Sequence, residues 1–176
     1  QRTGQQSNSS GNVVKGISWK TFLNSNPVYG AESTAVLDSS GNIYFGSHSG
    51  NFYSLDNKGN IRWSFNTKKK IYSSPLIIGN KVIFVGGDGF VYCLSRNGKL
   101  IWFYNLDGTG HLSKYIKLFK YIIHLPYTLD LNRKKNITYK SWCSPNEHNG
   151  LIYVMGYSTG VYCLDLNGKS IWSFHL

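Results

Sequence analysis

The chain has 176 residues, enough for one sizeable domain, and its 41% apolar content is far from disordered composition. Its net charge of +11 raises nucleic acid or an anionic membrane surface as partner. The basic residues cluster only at Lys68, Lys69 and Lys70 and at Arg133, Lys134 and Lys135, so the excess reads as compositional bias and nucleic acid is not the expected partner.

Other classes fall away as quickly. The sequence holds no apolar run near the length of a membrane-spanning helix. Three cysteines, Cys93, Cys143 and Cys163, cannot make a complete disulfide framework. Cys93 and Cys163 hold the same slot in two repeats, so each is expected as a small buried apolar residue. Many aromatic residues with 19 Gly and only 4 Pro predict short strands and tight turns.

In chain order, residues 1–12 are polar and are expected to be disordered, with neither the basic nor the apolar region of a signal peptide. Such a start suggests a piece excised from a longer protein. Asn8 and Asn136 each open a glycosylation acceptor pattern, which points weakly to a secretory location. The stretch from Lys15 to Trp19 resembles the tail of a repeat that then recurs three times, over 33–65, 74–104 and 144–174.

The register of that repeat is tight. Tyr53, Tyr92 and Tyr162 each stand six residues before Gly59, Gly98 and Gly168, and each Gly stands four before Trp63, Trp102 and Trp172. Trp19 to Trp63 spans 44 residues and Trp63 to Trp102 spans 39, the period of a propeller blade. Each unit reads as four short strands. Lys81 to Val85 alternates, a Gly-rich turn leads to Phe90 to Leu94, and an Asn-Gly turn at Asn97-Gly98 or Asn167-Gly168 opens the last strand. The predicted class is all-β: a partial or open β-propeller of four-stranded antiparallel blades over 13–176, with one helical insertion.

The insertion covers 105–141. Apolar residues at 112, 115, 116, 119, 122 and 123 predict a helix over 112–125, with Lys114, Lys117 and Lys120 on another side. Such a helix suits contact with an anionic membrane or a binding partner, but packing over one edge or end of the propeller is the favoured reading. Asn132 to Asn136 is expected to be a solvated loop.

No catalytic, cofactor-binding or metal-binding residue is expected. Asp56 and Asp165 recur as turn residues and Asp38 sits in a loop. Glu32, Asp88, Asp107, Asp130 and Glu147 show no common spacing, and His48, His111, His124, His148 and His175 are scattered. The Ser residues before Pro75 and Pro145 belong to the repeat, not to a nucleophile motif.

Ser73-Ser74-Pro75 and the pattern Gly-x-x-Tyr-x-Leu-Asp-x-x-Gly-Lys-x-x-Trp, best matched by Gly160 to Trp172, GVYCLDLNGKSIW, resemble the quinoprotein-like (PQQ-like) propeller repeat. The resemblance extends from about Gly16 to Phe174, apart from the insertion. It implies that Trp63, Trp102 and Trp172, with Trp19 as a partial copy, dock each blade on its neighbour, and Trp63 and Trp102 are expected to be largely buried. Among relatives, the lumenal sensor regions of endoplasmic-reticulum stress kinases resemble such open repeats, implying self-association and binding of protein or peptide in a secretory lumen. A fragment of a PQQ-dependent dehydrogenase is an alternative, though this sequence has no adjacent Cys pair. A scaffold propeller of an assembly complex is another, though the insertion looks foreign to it. The row of repeats looks open at both ends, so the expected state is a homodimer, or a docked partner or remainder of a larger propeller.

Overall fold

The computed structural model describes residues 19–21, 23, 30, 33–106, 110–111, 143–156 and 160–175. They form thirteen strands in three antiparallel sheets, with no helix among the described residues. The predicted helix over 112–125, the tail before Trp19 and both acceptor sites, Asn8 and Asn136, lie outside them.

The first sheet runs in chain order from β1 (Val36–Leu37) through β2 (Ile43–Gly46) and β3 (Asn51–Leu55) to β4 (Ile61–Asn66). The second contains β5 (Leu76–Ile78), β6 (Lys81–Val85), β7 (Phe90–Ser95) and β8 (Leu100–Asn105). To these it adds β9 (Gly110–His111). The third holds β10 (Asn146–His148), β11 (Leu151–Gly156), β12 (Gly160–Asp165) and β13 (Ser170–Phe174). The fifth strand of the second sheet departs from the four expected. Within the insertion, Gly110–His111 pairs antiparallel with β8, Tyr104 opposite His111 and Asn105 opposite Gly110.

Side chains alternate across each strand, so every sheet has two apolar faces. The core lies between sheets. Tyr44, Phe52, Trp63 and Phe65 of the first sheet pack on Val82, Phe84, Tyr92 and Leu94 of the second. Ile83, Val91, Cys93, Trp102 and Tyr104, on the other face of the second sheet, pack on Ile152, Val154, Tyr162 and Leu164 of the third. Phe52 stacks on Phe84 with ring centres 4.0 Å apart. Cys93 and Cys163 are buried free thiols in equivalent slots, and burial pushes the Cys93 thiol up to about 12.

Each sheet carries an irregularity at one place, between Ser54 and Leu55, Cys93 and Leu94, and Cys163 and Leu164. There Arg62, Ile101 or Ile171 is the extra residue of a β-bulge, which bends the last strand and re-aims the next side chain. In every sheet that side chain is the repeat Trp. The bulge sets Trp63, Trp102 and Trp172 opposite Ser54, Cys93 and Cys163, on the face turned to the next sheet.

Candidate functional site at the sheet-to-sheet contacts

The turn before each last strand is closed by a carboxylate or hydroxyl. Asp56 Oδ1 accepts the backbone N–H groups of Lys58 and Asn60, and Asp165 Oδ1 those of Asn167 and Lys169, at 2.8–2.9 Å. Ser95 fills that slot in the second sheet, accepting from Lys99. These bonds hold the turn glycine left-handed, with φ of +84° at Gly59, +78° at Gly98 and +79° at Gly168.

Each of these glycines lies under a Trp of the preceding unit. A Cβ on Gly98 would stand 2.7 Å from the Trp63 ring, and one on Gly168 2.6 Å from the Trp102 ring. The indole N–H then donates to the carbonyl two residues before the glycine: Trp63 to Arg96 at 2.8 Å, Trp102 to Leu166 at 3.1 Å. The aromatic residue two places after each Trp completes the contact. Phe65 meets Tyr92 with ring centres 5.5 Å apart, and Tyr104 meets Tyr162 at 5.9 Å.

Trp19 sits on Gly59 in the same manner, with Thr21 donating to the Gly59 carbonyl at 2.5 Å and Tyr53 donating to that of Leu23. Trp172 has no such seat among the described residues; 46% of it is exposed, and its ring leans on Tyr153. Trp102 is 2% exposed, and Trp63 is partly buried, packed against the core between the first two sheets. The Lys81 ammonium donates to the Leu166 carbonyl that Trp102 also uses. The matching slot at the first contact is Asn42, a short side chain whose amide is held by Asp38.

A second tie escaped the sequence reading. Thr34 N–H donates to Ser74 Oγ at 3.2 Å, and Ser74 N–H donates to Ser144 Oγ at 2.8 Å, linking the segments that lead into the first strands of successive sheets. The preceding serines act within their own sheets. Ser33 Oγ bonds both backbone groups of Gly46, and Ser73 Oγ both of Val85. The available signal was the hydroxyl residue that recurs in this slot, Thr34, Ser74 and Ser144.

The remaining acids are spread out. Burial alone would raise the Asp38 carboxyl, but hydrogen bonds from Asn42, Tyr44 and Ser40 outweigh it and hold the group at about 2. Asp38 also reaches Arg96 of the second sheet at 3.5 Å. Burial pushes Asp88 up to about 6, opposed by bonds from Tyr92 and Phe90. His48 packs on Tyr72, and His175 on Tyr162. No group of three His, Cys, Asp or Glu is placed to hold a metal among the described residues.

Four-stranded antiparallel sheets stacked face to face, each handing a Trp to the next turn, define a propeller-type repeat protein. The family model described as outer membrane protein assembly factor BamB (PQQ_2) matches residues 4–117, and the chain belongs to this PQQ-like family. The match ends within the insertion, yet the third sheet repeats the geometry of the other two. No curated protein matches the chain.

Among solved structures, BamB from Moraxella catarrhalis is 18% identical with a TM-score of 0.56, over 83% of this chain and 37% of its own. Quinohemoprotein alcohol dehydrogenase from Comamonas testosteroni is 16% identical with a TM-score of 0.58, over 83% of this chain and 21% of its own. The computationally designed Ika4 protein is 12% identical with a TM-score of 0.53, over 82% of this chain and 74% of its own. The chain thus spans well under half of the two natural proteins, and the likeness is one of fold.

Proposed function

We propose that this chain is a non-catalytic propeller module that binds protein or peptide by strand addition and takes part in assembly. The observation that carries the reading is β9, an extended segment already added to the outer edge of a blade at β8. Among the described residues the equivalent edges, β4 and β13, end their sheets. Edge strands offer a row of unpaired N–H and C=O groups, and an extended peptide pairs with such a row. The family's description as an assembly factor supports the same reading.

Fluorescence anisotropy with a labelled unfolded polypeptide tests it, with hydrogen exchange to map the site. Saturable binding that protects the amides of 61–66 or 170–174 is the expected result. Tight binding of pyrroloquinoline quinone with Ca²⁺, and none of polypeptide, would instead favour a dehydrogenase fragment. The narrower assignment, the lumenal sensor of an unfolded-protein-response kinase in the endoplasmic reticulum, rests on the repeat resemblance and the acceptor sites at Asn8 and Asn136. Neither the family match nor the solved structures support it.

A further inference from the structure

We propose that the segment taken up at β4 is acidic and adds antiparallel, its N-terminal side carrying carboxylates that meet Lys68, Lys69 and Lys70. The inference rests on strand addition as read above and adds to it the direction and the charge of the partner.

The direction comes from β9. Gly110 lies opposite Asn105 and His111 opposite Tyr104, so this added strand runs antiparallel to β8. Tyr104 and Asn105 stand two and three residues after Trp102, as Phe65 and Asn66 stand after Trp63. The two units keep the same path one residue further. Leu106 N–H donates to the Gly89 carbonyl at 3.0 Å, and Thr67 N–H to the Gly50 carbonyl at 2.8 Å. There they part: the second unit runs on into its insertion, and the first carries Lys68, Lys69 and Lys70. A peptide paired with β4 as β9 is with β8 sets one residue opposite Asn66 and its next opposite Phe65. The residues before these pass the end of β4, where the lysines stand.

The backbone of the lysine loop is fixed from several sides. Ile71 N–H donates to the Ser47 carbonyl at 3.0 Å, and Gly87 N–H to the Lys70 carbonyl at 2.9 Å. Thr67 Oγ1 donates to the Lys69 carbonyl, and Lys68 N–H donates to Asn66 Oδ1, both at 2.8 Å. Lys68 takes a left-handed φ of +63°, which a non-glycine residue keeps only when its surroundings impose it. All three lysines are exposed, and none makes an ion pair among the described residues. Asp88 stands close enough to Lys69 for the two charges to attract.

From Ile61 to Lys70 the chain holds four cations, Arg62 and the three lysines, and no acid. Complementary charge at the rim of a contact selects the partner and speeds the encounter. Nucleic acid would satisfy the lysines but has no peptide backbone to pair with β4. An acidic extended peptide satisfies both.

Anisotropy and hydrogen exchange with three labelled peptides test it. Each has a Thr-Val-Thr-Val core, preceded by three Glu, followed by three Glu, or flanked by Gln. The Glu-first peptide should bind roughly tenfold more tightly than the Gln peptide at low salt, as three exposed ion pairs predict. That advantage should vanish near about 1 M salt, where screening is short-ranged. The variant Lys68→Asn/Lys69→Gln/Lys70→Gln should bind all three alike, Asn being tolerant of the left-handed backbone at 68. Equal binding of the three peptides by the unaltered chain, with 61–66 protected, would leave strand addition standing and overturn the acidic partner. Preference for the Glu-last peptide would overturn the direction. No protection of 61–66 by any peptide, or slow exchange of all its amides in the peptide-free chain, would overturn both readings. A single-stranded oligonucleotide that binds more tightly than the Glu-first peptide, leaving β4 unprotected, would assign the lysines to nucleic acid and overturn the proposal.

Discussion

At Gly98 the backbone φ is +78° and the Trp63 ring occupies the space a Cβ would need. Gly98→Ala therefore meets strain and a steric clash together, and should lose about 2–4 kcal/mol in urea denaturation. Truncating the ring tests the other side of the contact. Trp102→Ala, at a buried site, should cost about 3–5 kcal/mol. Trp172→Ala, at a site 46% exposed, should cost under about 1 kcal/mol. Similar losses at the two positions would refute the seat as the source of the difference.

Two carboxylates give opposite pH signatures. Asp38, held at about 2, favours the fold once ionised, and that contribution is lost as pH falls from about 4 through 2. Asp88, raised to about 6, keeps its proton in the folded state where the unfolded chain has released it, so its contribution declines as pH rises from about 4 to 6. Asp88→Asn should flatten stability against pH in that upper window and leave the acid limb intact. Denaturant midpoints from pH 2 to 7 check both.

At the scale of the element, the same bulge in three sheets turns one residue type toward the next sheet. The sequence carries the Trp at its fixed distance from the turn glycine but no sign of the extra residue, because a bulge is visible only when two strands are paired. The serine pairs show a similar division. Ser73 is buried and satisfies both backbone groups of Val85, so Ser73→Ala strands a buried donor and acceptor and should cost about 1–3 kcal/mol. Ser74→Ala loses one exposed bond from Thr34 and should cost about 1 kcal/mol or less. A reversed order in chemical denaturation would contradict these roles.

Across the whole molecule, each sheet touches only its neighbours, and stability is carried by successive contacts. Trp63 and Trp102 serve different contacts and share no hydrogen-bond partner. The double variant Trp63→Ala/Trp102→Ala should therefore lose the sum of the single losses to within about 0.5 kcal/mol. A coupling well above that, from urea denaturation of all four proteins, would show that the two contacts act as one unit.

The sequence by itself determined the strand count per repeat, the turn glycines and the Trp positions. Each of these is a local pattern: alternation, a dipeptide that tolerates positive φ, a fixed spacing. It also marked Cys93 and Cys163 as buried apolar residues, because repeat slots share one environment. Only the tertiary structure decided which glycine lies under which Trp, that Lys81 and Trp102 share the Leu166 carbonyl, and that the insertion starts as a fifth strand on β8. It alone showed Ser74 and Ser144 accepting bonds from the preceding sheet. Those partners stand some 35 to 70 residues apart along the chain, beyond the reach of any local signal, and come together when sheets stack to bury their apolar faces.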